Sequence, residues 1–402
     1  MNPLAKVYCR IYQKVLWAAM PVMPWRKPEL LEGKGALLML PELIKSLGIE
    51  SVLLVTDKGL ASLGLHDPLL QALDASGIRC TVYDETVPNP TIDNIEAALR
   101  LYHENACRGI IAFGGGSAMD CAKGVGARVA RPRKSVQKMK GIIKVIKPLP
   151  PLFAIPTTAG TGSETTLAAV ITNSVTHEKY PINDWPLIPR YAVLDPTLTV
   201  GLPGKITSTT GVDALTHAVE AYIGGSNTRE TREMAREATK LIFENLYTAY
   251  TDGGNIEARS NMQRAAFCAG VAFTRAYVGY VHAVAHTLGG FYGTPHGLAN
   301  AVILPYVLEL YGSRVWKPLS ELADLVGITE SGDTMQQKSD KFIAAIREMN
   351  AKMAIPDKLA GIREEDIPIM AARAAQEANP LYPVPLLMDA KELQKIYYLV
   401  KE

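Results

Sequence analysis

The chain has 402 residues, of which 48% are hydrophobic and 20% are charged, and its formal net charge is +2. This composition is typical of a soluble globular protein with enough chain for two domains. The small net charge argues against nucleic acid as a partner. The five cysteines form no Cys-x-x-Cys pair, which argues against a disulfide scaffold and favours a reducing, cytoplasmic location.

The first 27 residues form a predicted leader segment that precedes the main body. Its apolar run, residues 15–25, contains two prolines and is too short to span a bilayer, so we expect no stable membrane insertion. We expect a helix that packs on the body or on a neighbouring subunit, which favours a homodimer or a higher homo-oligomer. The alternative is a contact with a membrane surface through Trp17 and Trp25.

Short β-rich runs alternate with helical patterns between residues 50 and 200. Thr91 directly follows Pro90 and is the predicted N-cap of one of these helices. Strands that alternate with helices indicate a parallel sheet covered on both faces, so we predict an α/β domain over residues 28–202. The predicted strands lie at residues 51–56, 79–83, 108–113, 151–155 and 191–194.

Helical patterns dominate after a turn-rich stretch at residues 201–204, so residues 203–402 are predicted to form an all-helical domain. A basic stretch at residues 131–147 contains seven Lys and Arg residues and no acidic residue. We interpret it as a solvated connection, because it lacks the interleaved aromatic residues of a nucleic-acid surface.

A glycine-rich turn at residues 114–117 follows a predicted strand and opens a helix. Glycines there allow the backbone to approach a pyrophosphate, and the helix N-terminus offers free N–H groups. Asp57 ends an earlier strand, where a carboxylate can bind ribose hydroxyls and repel a 2′-phosphate. These features favour NAD over NADP.

A second polar loop, residues 156–164, follows the strand at 151–155. Its hydroxyls and glycines are suited to the other phosphate and to the nicotinamide ribose. Asn89 ends a further strand, at the sheet edge where ligands of such folds bind. Each loop alone is equally consistent with ordinary turn chemistry.

Four side chains in the second half form a candidate metal site. Asp213 and His217 are four residues apart, which on a helix places both on one face, and His282 and His296 follow. Three imidazoles and one carboxylate suit Fe(II) or Zn(II) better than Mg²⁺ or Ca²⁺. A closed structural zinc site is less consistent with the absence of cysteine ligands and the nucleotide motif upstream. The alternative is a set of unrelated core or capping histidines.

Four motifs in combination resemble the iron-containing (group III) alcohol dehydrogenase family, from about residue 28 to about residue 400. The resemblance implies a Rossmann-like, parallel-sheet nucleotide domain followed by a helical metal-binding domain, the dehydroquinate synthase-like architecture. The motifs are Gly-Gly-Gly-Ser-x-x-Asp, Pro-Thr-Thr-Ala-Gly-Thr-Gly-Ser-Glu, Gly-Val-Asp-Ala-Leu-Thr-His-Ala-x-Glu and His-Ala-x-Ala-His-x-Leu-Gly-Gly-Phe-Tyr-x-x-Pro-His-Gly.

The resemblance also implies roles for individual residues. His286 matches a family histidine beside the nicotinamide and the substrate, and the four metal-site residues match the ligands of a catalytic Fe(II), sometimes Zn(II). The stretch 275–278 departs from the family pattern, and bulky side chains at Phe273, Arg275 and Tyr277 are expected to reshape the alcohol pocket. The implied NAD-site residues are Asp57, Asn89, Gly115, Gly116, Ser117, Asp120, Thr157, Thr158, Thr161 and Lys179.

The sequence therefore predicts an NAD-dependent alcohol dehydrogenase that interconverts a primary alcohol and its aldehyde by hydride transfer. The alcohol oxygen is expected to bind the ion, and His286 is a candidate proton relay. A glycerol or diol dehydrogenase, or another dehydroquinate synthase-like metal and NAD enzyme, is the main alternative. A metalloprotease would need a glutamate where Ala283 stands. A binding protein without catalysis would not need both motifs.

Overall fold

The computed structural model describes residues 1–19, 22–175 and 178–402. The chain divides into two compact units: one comprises residues 24–201, and the other comprises residues 1–23 and 202–402. The predicted apolar run at residues 15–25 includes Met20 and Pro21, which lie outside the described residues. We call the two parts the sheet unit and the helical unit.

The sheet unit is built on a six-stranded, fully parallel sheet with the strand order β1-β9-β6-β4-β2-β3. The five predicted strands correspond to β2, β3, β4, β6 and β9. Strand β1 was not predicted, because a four-residue edge strand with glutamates at both ends carries little apolar signal. The strands of this sheet are β1 (Glu29–Glu32), β2 (Ser51–Val55), β3 (Arg79–Tyr83), β4 (Gly109–Gly114), β6 (Leu152–Pro156) and β9 (Tyr191–Leu194).

Burial on both faces explains why the central strands are continuous apolar runs. Along β2, Leu53 and Val55 belong to one core cluster, whereas Val52 and Leu54 belong to the cluster on the opposite face. This alternation confirms the predicted parallel sheet covered on both sides. The helices of this unit are α2 (Leu40–Ser46), α3 (Lys58–Ser62), α4 (Asp67–Ala75), α5 (Ile92–Glu104) and α6 (Gly116–Ala130).

A small second sheet, which the sequence did not indicate, has the order β5-β8-β7. Its strands are β5 (Gly141–Ile142), β7 (Ala168–Thr172) and β8 (Lys179–Asn183). Strand β5 comes from the basic stretch at 131–147, and the carboxylate of Asp184 accepts hydrogen bonds from the backbone of Val145 and Ile146. The connection is thus tied down by backbone contacts that a charge pattern does not reveal.

The helical unit contains no strand longer than an isolated bridge among the described residues, in agreement with the predicted all-α architecture. Together with the sheet unit it confirms the predicted fold class. None of the described helices is long and apolar enough to cross a membrane. The helices are α1 (Pro3–Ala19), α7 (Gly204–Ile223), α8 (Arg229–Thr251), α9 (Ile256–Ala276), α10 (Tyr280–Tyr292), α11 (His296–Tyr311), α12 (Trp316–Leu325), α13 (Met335–Lys352), α14 (Ile367–Ala378) and α15 (Ala390–Val400).

The predicted leader segment, residues 1–27, is divided between the two units. Helix α1 belongs to the helical unit, whereas Trp25 belongs to the sheet unit, where its ring meets Trp185 edge-on at a centroid distance of 6.3 Å. Trp25 therefore packs against another residue of the sheet unit, whereas Trp17 belongs to the helical unit.

Candidate metal centre and nucleotide site

Four side chains of the helical unit converge on one point. Each offers one nitrogen or oxygen atom, and all four atoms lie within 4.8 Å of one another. Helix α7 supplies the first two from a single face, and α10 and α11 supply one each from their first turns. The four residues are those predicted from the sequence: Asp213, His217, His282 and His296.

The arrangement fits a divalent ion by the chemistry of its donors. The Nε2 atoms of His282 and His296 lie 3.8 and 3.5 Å from Oδ1 of Asp213. The Nε2 atom of His282 is buried and makes no hydrogen bond among the described residues. Burial raises the pKa of the Asp213 carboxyl, and burial lowers the pKa of His282 well below its usual value. A cation would satisfy the orphaned nitrogen and neutralise the buried carboxylate.

Glu220 ends the motif that contains Asp213 and His217, but the sequence analysis assigned it no role. In the structure its carboxylate contacts His282. Its Oε2 atom lies 2.6 Å from Nδ1 of His282, which leaves Nε2 of the same ring directed at the cluster. Glu220 also accepts hydrogen bonds from the backbone N–H groups of Gly279 and Val281 at the start of α10. It therefore orients the imidazole and caps the helix that carries it.

Asn300, which the sequence analysis did not single out, also contacts the cluster. Its Nδ2 atom donates to Oδ1 of Asp213 at 2.5 Å and lies 3.1 Å from Nε2 of His296. Its position one turn after His296 on α11 is the only sequence signal for this contact. Asn300, on α11, therefore helps to orient the carboxylate of Asp213.

His286 lies one turn after His282 but outside the four-atom cluster. Its Nδ1 atom lies 2.7 Å from Oε1 of Glu377, and its ring stacks on that of His296 at a centroid distance of 5.3 Å. Burial alone would raise the pKa of Glu377, but the neighbouring histidines and a hydrogen bond from Tyr382 hold it below its usual value. His286 is thus half-exposed, oriented by a carboxylate and adjacent to the metal-site residues.

Phe273, two residues before the stretch 275–278 that departs from the family pattern, lies beside the same cluster. The ring of Phe273 stacks on the imidazole of His217, with centroids 4.1 Å apart and an interplanar angle of 13°. Arg275 forms an ion pair with Glu230. Tyr277 ends α9 with a φ of 64°, a conformation that costs a non-glycine residue free energy.

Gly297 is required by a close approach of two helices. A Cβ atom at this position would lie 2.5 Å from the backbone oxygen of Thr209 on α7. We expect Gly297→Ala to force α11 away from α7 and to lower the free energy of unfolding by about 1–3 kcal/mol. Metal affinity should fall with it, since His296 precedes the glycine.

Urea denaturation and metal titration would measure both effects of Gly297→Ala. Gly290→Ala is the matched control, because no atom lies within 4 Å of its added Cβ. Equal stability and metal affinity of the two variants would contradict the prediction.

The predicted pyrophosphate turn lies where β4 ends and α6 begins. Gly114 has a φ of 148°, and a Cβ there would lie 2.8 Å from that of Ala118, so only glycine fits. Asp57 caps α3 by accepting the backbone N–H of Leu60 through Oδ1, while a Cβ on Gly114 would lie 3.9 Å from its Oδ2. The carboxylate and the turn therefore share one edge of the sheet, as the strand ends predicted.

The second polar loop faces the glycine-rich turn. Cβ atoms added to Gly115 and Gly116 would lie 3.7 and 3.5 Å from side-chain atoms of Thr158 and Thr161. The hydroxyl of Thr158 is buried and has no hydrogen-bond partner among the described residues. Thr157 is held nearby, because its N–H donates to the carbonyl of Gly114. A polar ligand would satisfy the orphaned hydroxyl.

Three further predicted residues meet at the same edge. The ammonium group of Lys179 donates to Oδ1 of Asn89 at 2.7 Å, and the N–H of Asn89 lies 3.3 Å from the hydroxyl of Ser117. Asp120 is engaged internally: it accepts from the hydroxyl of Ser163 and from the N–H of Val170. It supports the second loop, and its direct contact with a cofactor stays a prediction.

Lys123 is fully buried in α6 and was not singled out by the sequence analysis. Four oxygen atoms lie within hydrogen-bond distance of its ammonium group and share its three N–H donors: the hydroxyl of Ser163, the hydroxyl and carbonyl of Thr166, and the carbonyl of Ala168. Burial lowers the pKa of Lys123 to about 8 and raises that of Glu164 to about 7. This lysine holds the second loop against α6.

We expect Lys123→Met to lower the free energy of unfolding by about 3 kcal/mol at neutral pH. The substitution leaves four acceptor oxygens without a donor, and it removes the cation beside the buried carboxyl groups of Asp120 and Glu164. The folded-state pKa of about 8 lies below the unfolded value of 10.5, so the unfolded chain binds more protons between them. The stability of the wild type relative to the variant should therefore rise from pH 8 towards 10.5.

Urea denaturation at several pH values measures the effect of Lys123→Met. Lys138→Met, at an exposed position, is the control. If the free energy of unfolding of the wild type, relative to that of Lys123→Met, falls as the pH rises above 8, the assigned burial of the lysine charge is refuted.

A parallel sheet with a glycine-rich turn, combined with a helical unit that gathers three histidines and an aspartate, defines a metal-dependent enzyme of the nucleotide-linked class. Comparison with known proteins agrees with that class. Residues 28–196 match the family described as iron-containing alcohol dehydrogenase, and residues 207–399 match its C-terminal domain family. The chain belongs to the iron-containing alcohol dehydrogenase family.

Individual relatives are similar over nearly the whole chain. The 1,3-propanediol dehydrogenase of Klebsiella pneumoniae is 40% identical over 86% of this chain and 90% of its own length. A solved 1,3-propanediol oxidoreductase matches with a TM-score of 0.89 and 38% identity, covering 93% of this chain and 98% of that one. Sulfoacetaldehyde reductase from Bifidobacterium kashiwanohense, solved with NAD⁺, has a TM-score of 0.84 and 29% identity, covering 94% and 99%.

Family membership confirms the predicted enzyme class, a metal-dependent, NAD-linked oxidoreductase of alcohols and aldehydes. It also explains why a nucleotide motif and a histidine cluster occur in one chain. The alternatives of a metalloprotease and of a binding protein without catalysis have no support from these relatives.

Proposed function

We propose that this enzyme interconverts a short primary alcohol or diol and its aldehyde, with Fe(II) held by Asp213, His217, His282 and His296. The observation that supports it most directly is the convergence of these four ligand atoms within 4.8 Å, with Nε2 of His282 buried and unbonded. When bound, the ion supplies Lewis acidity to the substrate oxygen and NAD accepts the hydride.

The residues of the sheet unit are proposed to hold NAD by complementary chemistry. The glycine-rich turn and the N-terminus of α6 suit the pyrophosphate, and the orphaned hydroxyl of Thr158 suits a phosphate or ribose oxygen. The carboxylate of Asp57 suits ribose hydroxyls and disfavours NADP.

The diol preference is proposed from the relatives and from the shape of the metal site. Two of the similar proteins are named for 1,3-propanediol. The ring of Phe273 covers one face of His217, which limits the space for a bulky substrate beside the ligands. Small primary alcohols and diols should therefore be better substrates than branched or secondary alcohols.

The test is NAD reduction with a panel of primary, secondary and branched alcohols and diols. The metal-free protein would be reconstituted separately with Fe(II) and with Zn(II), and NADP would be assayed in parallel. Turnover that requires Fe(II), prefers NAD and favours short diols is expected. Turnover supported by Zn(II) would mean that Zn(II), rather than Fe(II), is the ion at this site. Turnover without any added metal would overturn the proposed role of the four ligands.

His286 is proposed as a proton relay, with Glu377 orienting its ring. Acid–base groups of this kind contribute about 10²–10⁴-fold, so we expect His286→Ala to lower kcat by at least about a hundredfold and to change the pH–rate profile. Glu377→Gln, which keeps the shape of the partner, should have a smaller effect in the same direction. A pH–rate profile of His286→Ala that matches the wild type would eliminate the relay.

A cytoplasmic homo-oligomer completes the proposal. All five cysteines, which lie among the described residues, are free, as suits a reducing compartment. Strand β1 pairs with β9 alone among the described strands, so its outer edge offers backbone groups to a second copy. Sedimentation analysis of the purified enzyme would determine the assembly.

A further inference from the structure

The inner face of helix α1 is attached to the rest of the helical unit through a buried glutamine. Gln13 is only 6% exposed, and its amide donates to the backbone oxygens of Pro380 and Tyr382 at 3.1 and 2.7 Å. Both acceptors lie within residues 380–385, which belong to the connection between α14 and α15. We call residues 380–385 the held segment. Gln13 therefore supplies donors to backbone oxygens that lie outside any regular element.

Arg10, nearly one turn earlier on α1, binds the other end of the held segment. Its guanidinium donates to the backbone oxygens of Val384 and Pro385 at 2.8 and 3.1 Å. Its Nη1 atom also donates to Oε1 of Gln13 at 2.9 Å, so the two side chains are joined to each other. Because hydrogen bonds depend on direction as well as on distance, this network fixes the position of the held segment against α1.

Apolar burial contributes little to the attachment of α1. The buried residues of this helix are Cys9 and Gln13, whereas Leu4, Ile11 and Val15 are between 57% and 83% exposed. A surface helix of a globular protein normally docks through an apolar stripe. The polar network is thus the specific contact of α1, and it is better suited to orient the held segment than to enlarge the core.

The held segment carries a side chain that reaches the candidate proton relay. The hydroxyl of Tyr382 donates to Oε1 of Glu377 at 2.8 Å, and Nδ1 of His286 lies 2.7 Å from the same oxygen. Gln13 holds the backbone oxygen of Tyr382, while the hydroxyl of this tyrosine binds the carboxylate that orients His286. A displacement of the Tyr382 backbone would therefore move the partner of His286.

We propose that Gln13, supported by Arg10, is a positioning residue for the reaction. It holds Tyr382, and through it Glu377, where they aim the ring of His286. The inference rests on the relay role proposed above for His286. The hydrogen bonds of α1 end on the held segment rather than on the four metal-site residues, so metal retention should not depend on them.

The first test is Gln13→Met, which keeps the approximate length of the side chain and removes its N–H donors. We expect kcat to fall about tenfold, since a misplacement of about 1 Å can cost about a hundredfold. KM for the alcohol and the bound metal, measured by elemental analysis, should match the wild type. Gln336→Met, at an exposed position of α13, is the matched control and should change none of these quantities.

Hydrogen exchange of the metal-free protein provides a readout that does not depend on turnover. Within the held segment the N–H of Val384 donates to the carbonyl of Tyr382 at 2.9 Å. Gln13→Met should make this amide exchange at least about tenfold faster, while the amides of α13 keep their wild-type rates. Gln13→Asn, which keeps the amide on a shorter stem, should give smaller changes in kcat and exchange, and it replaces Gln13→Met if that variant does not fold.

Combination with His286→Ala separates this inference from the proposed function. If Gln13 acts through His286, Gln13→Met should lower kcat in the wild type but not further in His286→Ala. An equal loss in both backgrounds, loss of metal, or wild-type exchange at Val384 would overturn the inference. So would a wild-type kcat in Gln13→Met beside a lowered kcat in His286→Ala, a result that leaves the relay in place. An unchanged kcat in His286→Ala would instead eliminate the relay itself, and the inference with it.

Discussion

Asp213→Ala is expected to abolish both metal retention and turnover. Its carboxylate lies within 3.8 Å of Nε2 of His282 and is the only anionic member of the four-residue cluster. Lewis-acid assistance contributes several kcal/mol, and each 1.36 kcal/mol corresponds to a factor of ten, so we expect a loss of at least about a hundredfold in kcat/KM. Elemental analysis after dialysis should find the variant largely free of metal.

Thr216→Val provides the control for Asp213→Ala. Thr216 is buried in the same helix, and its hydroxyl donates to the carbonyl of Val212, so its loss tests packing without touching the cluster. This variant should keep its metal and its activity. An Asp213→Ala protein that retains a full equivalent of metal and turns over normally would show that the carboxylate is not a ligand.

Glu220→Ala is expected to cause the largest combined loss of stability and metal affinity. The substitution leaves two buried backbone N–H groups, those of Gly279 and Val281, without acceptors. Each unsatisfied group costs about 1–3 kcal/mol, so the free energy of unfolding should fall by about 3 kcal/mol or more. Loss of the partner of His282 should also weaken metal binding by about 10–100-fold.

Glu220→Gln separates the two contributions of this residue. The carbonyl oxygen of the glutamine can still accept a hydrogen bond from the backbone at the start of α10. Its NH2 group cannot accept, so the glutamine cannot bind both the backbone and Nδ1 of His282 as the carboxylate does. Stability should be partly restored while metal affinity stays low, as measured by urea denaturation and by competition with a chelator. Glu233→Ala, at an exposed pair with Arg229, is the control and should change neither quantity. Wild-type metal affinity in Glu220→Ala would refute the orienting role.

Local patterns identified the features that depend on neighbours in the chain. Runs of apolar residues indicated five strands of the main sheet, and the N-cap at Thr91 was visible as a threonine before a helical pattern, whereas its reciprocal bond with Asn94 was not predicted. The four-residue interval between Asp213 and His217 placed both on one face of α7, because the helical repeat is a local property. The glycine-rich turn was equally visible, since a φ of 148° at Gly114 requires glycine.

Residues distant in sequence acquired their roles only through tertiary contacts. Glu220 meets His282 across 62 positions, Lys123 meets Thr166 across 43, and Glu377 meets His286 across 91. No local pattern distinguishes these charged side chains from solvent-exposed ones, because their partners are selected by helix packing. The same applies to α1, which the sequence predicted as a helix that packs on the body or on a neighbouring subunit, without indicating which of its faces does so.

The sequence alone thus predicted the class of enzyme and its order of domains, through the motifs that resemble a known family, and the four residues that gather at the candidate metal centre. Of these features, the spacing of Asp213 and His217 and the ends of the strands are encoded locally. The tertiary structure decided which carboxylates support those residues, how the second loop is held to α6, and which face of α1 points outward. Those outcomes depend on hydrogen bonds between segments brought together by folding, and buried polar groups must find such partners wherever the fold supplies them.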